Sequence, residues 1–224
     1  MGERRENNKR ETRQKLSDVA TELFCERGFE AVTLDEIAAA AGVSKMTVFN
    51  YFGRKEELML DRTDDLLLLP VRIAIRERPS GQAPVDALHG LVAKLREQNQ
   101  QLARIDSRSV GWWRVVSASP ALKARLHELE DEAKEGLALE LAGSKPDGLA
   151  RLMAGVIVLA VRTAREEAIR VLERGGSAKK ANAELLALLE RGFSAVQQMA
   201  DSAKLHSGVR GARRPRSSAN RRRN

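Results

Sequence analysis

Apolar side chains recur three and four positions apart along nearly the whole chain, and few β-branched or aromatic runs interrupt them, a period that predicts helices throughout. Leu16, Val19, Ala20, Leu23 and Phe24 form one such stripe with Gly28 as its stop signal, so residues 9–27 read as a first helix. Thr33 and Glu36 frame a capping box in Thr-Leu-Asp-Glu and start a short second helix that ends near Ala41 and Gly42. Ser44 is placed to cap a third, and Gly53 to Lys55 make the next break. Glu56 to Leu69 read as a fourth helix that Pro70 disturbs.

The stretch from Arg78 to Pro84 has linker chemistry. Beyond it the pattern predicts helices at about 84–104, 107–118, 121–142, 147–174 and 178–204. Pro84, Pro120 and Pro146 stand where helices begin, and Gly175-Gly176 where one ends. No fixed-period repeat is present.

Ala38, Gly42 and Val48 have the separations of a helix-turn-helix: a small residue where two helices approach, a glycine for the turn and an apolar anchor in the second helix. Ile37, Ala41, Val43, Val48 and Phe52 are expected to face inward, leaving Lys45, Met46, Thr47, Phe49, Asn50 and Tyr51 to the other side. The run GFEAVTLDEIAAAAGVSKMTVFNYFGRKEEL, from Gly28 to Leu58, closely resembles the N-terminal signature of TetR-family regulators, and the resemblance extends over about residues 9–62. It implies an all-α fold, with an N-terminal three-helix helix-turn-helix domain (1–62) followed by a larger helical ligand-binding and dimerisation domain (63–206); composition sets off a basic tail (207–224). It also implies a ligand-responsive regulator, a repressor, that binds palindromic double-stranded operator DNA as a homodimer.

Carried over position by position, the resemblance makes Thr33, Ser44, Lys45, Met46, Thr47, Phe49, Asn50, Tyr51 and Lys55 the DNA-binding set. Lysine and hydroxyl groups suit phosphate oxygens, and Asn50 has the donor and acceptor to read an adenine edge. Met46 stands where a small residue is common and Phe49 lacks the hydroxyl of the usual tyrosine, so their contacts are expected to be apolar, to thymine methyls for example. Other roles stay open: Thr33 and Ser44 as N-caps, Phe49 and Tyr51 as core aromatics, Lys55 as a solvated lysine. Arg4, Arg5, Lys9, Arg10 and Arg13 form an arm that either approaches DNA or is merely solvated.

A formal charge of +8 suggests nucleic acid until its location is considered. Residues 207–224 hold seven arginines and no acid; without those seven the rest of the chain carries +1. Residues 1–62 have eleven basic and twelve acidic side chains, so DNA binding there depends on arrangement, with the acids expected away from the groove-facing side. The tail reads as disordered, its role either weak DNA tethering, which is favoured slightly, or solubility alone.

The late helices at about 147–174 and 178–204 resemble the last two helices of TetR-like proteins, which pair as a dimer interface, here through Leu152, Val156, Leu159 and Ala160 in one and Leu185, Leu188, Leu189, Phe193 and Val196 in the other; a purely intrachain core is the other reading. A small-molecule effector site is expected between linker and interface, from His89, Trp112, Trp113, Met153 and Arg162, with Arg114 near and Glu166 an internal partner for Arg162. For each of these a packing role competes. The C-terminal half somewhat resembles TetR-like regulators with acyl-CoA-like ligand domains.

No glycine-rich phosphate loop, metal-spaced cluster or nucleophile elbow is present and His89, His127 and His206 are scattered, so neither catalysis nor a cofactor is expected. An interaction module that keeps the helix-turn-helix shape without reading DNA is the alternative. A single cysteine, Cys25, no apolar signal segment and no apolar run longer than Leu152 to Val161 point to the cytoplasm and away from a membrane.

Overall fold

The computed structural model describes residues 2–61, 68–98, 105–143 and 145–211. Among these there are ten helices and no strand: α1 (Gly2–Arg27), α2 (Leu34–Ala41), α3 (Lys45–Tyr51), α4 (Lys55–Met59), α5 (Leu69–Arg76), α6 (Pro84–Gln98), α7 (Ser107–Ala118), α8 (Pro120–Ala142), α9 (Gly148–Glu173) and α10 (Ala178–Gly211). The all-helical reading and most boundaries hold. Where they differ, the cause is local.

Helix α1 starts at Gly2, so the basic residues expected in an arm lie on its first turns. Pro70 does not kink a long fourth helix; it occupies the first turn of α5, where its missing N–H costs nothing, after Leu68 in a left-handed conformation (φ 53°). Residues 62–67, within the fourth helix expected from Glu56 to Leu69, lie outside the described residues, as do 212–224 of the tail. Residues 207–211, read as the start of the tail, continue α10.

The linker expected at 78–84 is instead a tight turn inside one core. Arg78 donates to the Ile75 and Gln82 carbonyls, and α5 packs against α6 through Val71, Ile75, Val85 and Leu88, all buried. Helices α9 and α10 form the most extensive pair in the molecule. They approach so closely that a Cβ on Gly192 would lie 2.3 Å from the Ala160 Cβ.

Two apolar cores are present. The larger joins α5, α6, α9 and α10 with Ala133, Leu137 and Ala138 of α8. The smaller joins Leu16, Ala20, Phe24, Ile37, Val48, Phe52 and Leu58 to Val115 and Val116 of α7 and to Leu122, Leu126 and Leu129 of α8. The N-terminal unit therefore completes its core with residues from more than fifty positions downstream.

Candidate nucleic-acid interface

The α2–α3 hairpin is fixed by its caps. Thr33 accepts from the Glu36 backbone N–H (3.3 Å) while the Glu36 carboxylate accepts from Thr33 N–H (2.8 Å), the reciprocal box read from the sequence. Arg27 adds an ion pair to Glu36 at 2.7 Å. Thr33 N–H, then Arg27 and the Thr33 hydroxyl, hold the Glu36 carboxyl down at about 2. Gly42 turns the chain with φ 70°, and its N–H and that of Val43 close onto α2 carbonyls. Ser44 accepts from Thr47 N–H at 3.0 Å and starts α3.

Val48 and Phe52 then anchor α3 in the core, with Val43 and Tyr51 half-buried beside them. The side facing out carries Lys45, Met46, Phe49 and Asn50, all exposed, with Thr47 half-buried at its margin. Met46 is 67% and Phe49 46% exposed, so Phe49 is no core aromatic. No acid lies on α3 itself. Asp35 of α2, however, takes the Lys45 ammonium at 2.8 Å, against the expectation that acids keep clear of this side.

Two other cations are used internally. Lys55 donates to the Phe29 carbonyl at 2.5 Å, with its ammonium 4.3 Å from the Phe29 ring centre and 5.5 Å from that of Phe24. Partial burial lowers its pKa. It is not a merely solvated lysine: in the free chain it ties the start of α4 to the α1–α2 turn. Arg13, one of the basic residues expected either to approach DNA or to be solvated, donates to Asp61 (2.7 Å) and to the Tyr51 carbonyl (2.5 Å), and its guanidinium lies 4.2 Å over Phe52. It thus holds the C-terminal end of α3 against α1. Arg13 falls three positions before Leu16 on the buried stripe, a signal that was present in the sequence.

Arg54 at the N-cap of α4 pairs with Glu128 of α8 (3.2 Å). Trp112 donates its indole N–H to the Met59 carbonyl (3.0 Å) and meets Trp113 edge-on. These contacts, with the shared core, fasten the hairpin unit to α7 and α8.

The five expected effector residues do not line one cavity. His89 stands edge-on to Phe193, with Glu190 2.8 Å from its Nδ1 but outside the ring N–H direction of a hydrogen bond. Trp112 and Trp113 pack at the junction of the two cores, and Met153 is core. Arg162 pairs with Glu130 (3.2 Å) more closely than with Glu166 (3.8 Å). It lines an open groove of about 340 Å³ with His127, Glu130, Asp131, Lys134, Gly155, Val158 and Leu159. Arg114 is exposed. Among the described residues no group of three His, Cys, Asp or Glu side chains could hold a metal ion, and no helix is long and apolar enough to cross a membrane.

The expected interface residues also divide. Leu185, Leu189, Phe193 and Val196 are buried within the protomer and belong to its own core, whereas Leu152 and Leu159 on α9 are 59% and 51% exposed. Val156, Ala160 and Leu188 lie between these extremes.

Residues 16–61 match the family described as bacterial regulatory proteins, tetR family. The HTH-type transcriptional regulator TcmR of Streptomyces glaucescens is 31% identical over 144 residues, 62% of this chain and 62% of its own. The HTH-type transcriptional activator FasR of Mycolicibacterium smegmatis is 44% identical over 69 residues, 30% of this chain and 32% of its own. The matches thus span less than two thirds of either relative. A TetR-family transcriptional regulator from Mesorhizobium loti shares the fold at a TM-score of 0.51, with 20% identity over 84% of this chain and 96% of that one. Residues 16–61 are thus a helix-turn-helix domain of the tetR family of bacterial regulatory proteins.

Proposed function

We propose that the protein is a transcriptional regulator, a repressor, which binds palindromic operator DNA as a homodimer with α3 in the major groove. The observation that carries this reading is the division of α3 into an anchored side, Val48 and Phe52, and an exposed side of Lys45, Met46, Phe49 and Asn50. A short helix pinned by one side and presented by the other has the shape that enters a major groove. Met46, Phe49 and Asn50 address bases; Lys45 addresses phosphate after exchanging Asp35 for it; Thr33, Ser44, Thr47 and Tyr51 line the backbone side. Lys55 supports the hairpin from within.

The second copy joins through α9 and α10, with Leu152 and Leu159 covering each other's counterparts around the two-fold axis. An effector bound in the larger helical body shifts the junction at Met59 and Trp112, and with it the separation of the two α3 helices.

Footprinting on DNA around the protein's own coding region, followed by transcription from that template, tests the proposal. Protection of two half-sites, lost with Asn50→Ala, and fewer transcripts are expected. Unchanged protection with Asn50→Ala combined with Phe49→Ala removes the assigned reading surface, and more transcripts would make the protein an activator. A monomer at micromolar concentration both free and on DNA refutes the dimer.

A further inference from the structure

We infer that the exposed side of α3 reads A·T base pairs, with Met46 and Phe49 packed on thymine C5-methyl groups. This rests on the DNA-reading role proposed above and names the base chemistry that role selects. Of the large apolar side chains exposed among the described residues, Met46 and Phe49 are the two outside α8 and α9; the others are Leu139, Leu152 and Leu159. They therefore form a patch separate from any face that pairs α9 with a second copy.

The two stand three residues apart on one helix, about 4.5 Å along its axis at ~1.5 Å per residue. Base pairs are stacked about 3.4 Å apart, so the two side chains fall on adjacent or next-but-one pairs. In the major groove the apolar feature a base pair offers is the thymine methyl. The rest of the exposed side agrees with this. Helix α3 has no arginine to fork onto guanine, and its lysine, Lys45, is held by Asp35 at 2.8 Å. Asn50, exposed on the same side, has the amide that pairs with adenine N6 and N7. An A·T pair offers both an adenine edge and a methyl, so one short A·T run satisfies all three side chains.

The test uses the full chain and the duplex it selects from a random-sequence library. Each thymine of that duplex is replaced singly by deoxyuridine, which removes the methyl and keeps every hydrogen-bonding group. Affinity is followed by fluorescence anisotropy at fixed salt. Burial of one methyl corresponds to roughly a four-fold change in affinity, so Kd is expected to rise about three- to five-fold at one or two thymines in each half-site. Met46→Ala should abolish the penalty at one of them and Phe49→Ala at the other, since both positions are exposed and the fold does not depend on them. Deoxyuridine tolerated at every position of a specifically bound duplex overturns the inference while leaving DNA reading intact. Half-sites read only through G·C pairs overturn it equally. If no duplex is preferred over random DNA, the DNA-reading role itself fails and this inference with it.

Discussion

Arg13→Ala removes a guanidinium that joins three segments: α1 from which it extends, the last carbonyl of α3, and Asp61 beyond α4. Asp61 is only 12% exposed at its side chain, so the variant leaves its carboxylate with one strong partner fewer in a partly buried place. Breaking a fully buried pair costs about 3–5 kcal/mol, but Arg13 is 40% exposed and water screens part of the interaction. The Tyr51 carbonyl and the stacking on Phe52 add smaller losses, giving a total of about 2 kcal/mol. For a chain of this size that lowers Tm by about 4–8 °C.

The assay is thermal unfolding of wild type, Arg13→Ala, Asp61→Asn and the double variant. The pair should show a coupling of about 1 kcal/mol, because the second change costs less once its partner is gone. The pH dependence has a definite sign. Burial raises the Asp61 pKa more than Arg13 lowers it, so ionising Asp61 already opposes folding as pH rises through its folded value. Without Arg13 that opposition grows, and the variant's deficit should be larger at pH 7 than at pH 4. A loss below about 0.5 kcal/mol, or no coupling to Asp61, would refute the three-way junction.

Other expectations follow from single contacts. Glu36, held at about 2 against an ordinary 4.5, contributes stability that is present above its unfolded value and lost as pH falls from there towards 2; Glu36→Gln should flatten the stability curve in that window. Gly192→Ala should cost about 1–3 kcal/mol in thermal unfolding, since two rigid helix-borne Cβ atoms cannot stand 2.3 Å apart, whereas Gly90→Ala, with nothing within 4 Å, should gain up to about 1 kcal/mol. Trp112→Phe keeps the packing but orphans the Met59 carbonyl, for an expected loss of about 1 kcal/mol by denaturant titration.

The hairpin was legible in the sequence because its determinants are local. Caps at Thr33 and Ser44 act within three residues, and the glycine turn at 42 needs only its own φ. Periodicity likewise located nearly every helix. What the sequence hid is pairing across distance. Arg54 meets Glu128 across 74 positions and Asn182 clasps the backbone of Ile105 across 77, and no local pattern encodes either. For the same reason the internal tie made by Lys55 is not read locally: the Phe29 carbonyl that holds it is 26 residues away. Proline and glycine between 78 and 84 read as a linker because turn chemistry is the same inside a core as between cores. His89, Trp112 and Arg162 suit an effector by type, and type alone does not bring them to one place.

The smaller core has a practical corollary for anyone who would treat the helix-turn-helix unit as a detachable module. A fragment ending at residue 62 keeps Leu16, Phe24, Ile37, Val48, Phe52 and Leu58 but leaves behind Val115, Val116, Leu122, Leu126 and Leu129, so it carries a core with one wall missing. Grafting this unit onto a foreign body therefore means transplanting α7 and the first half of α8 with it. In the intact chain the same sharing predicts that head and body melt in a single event rather than two.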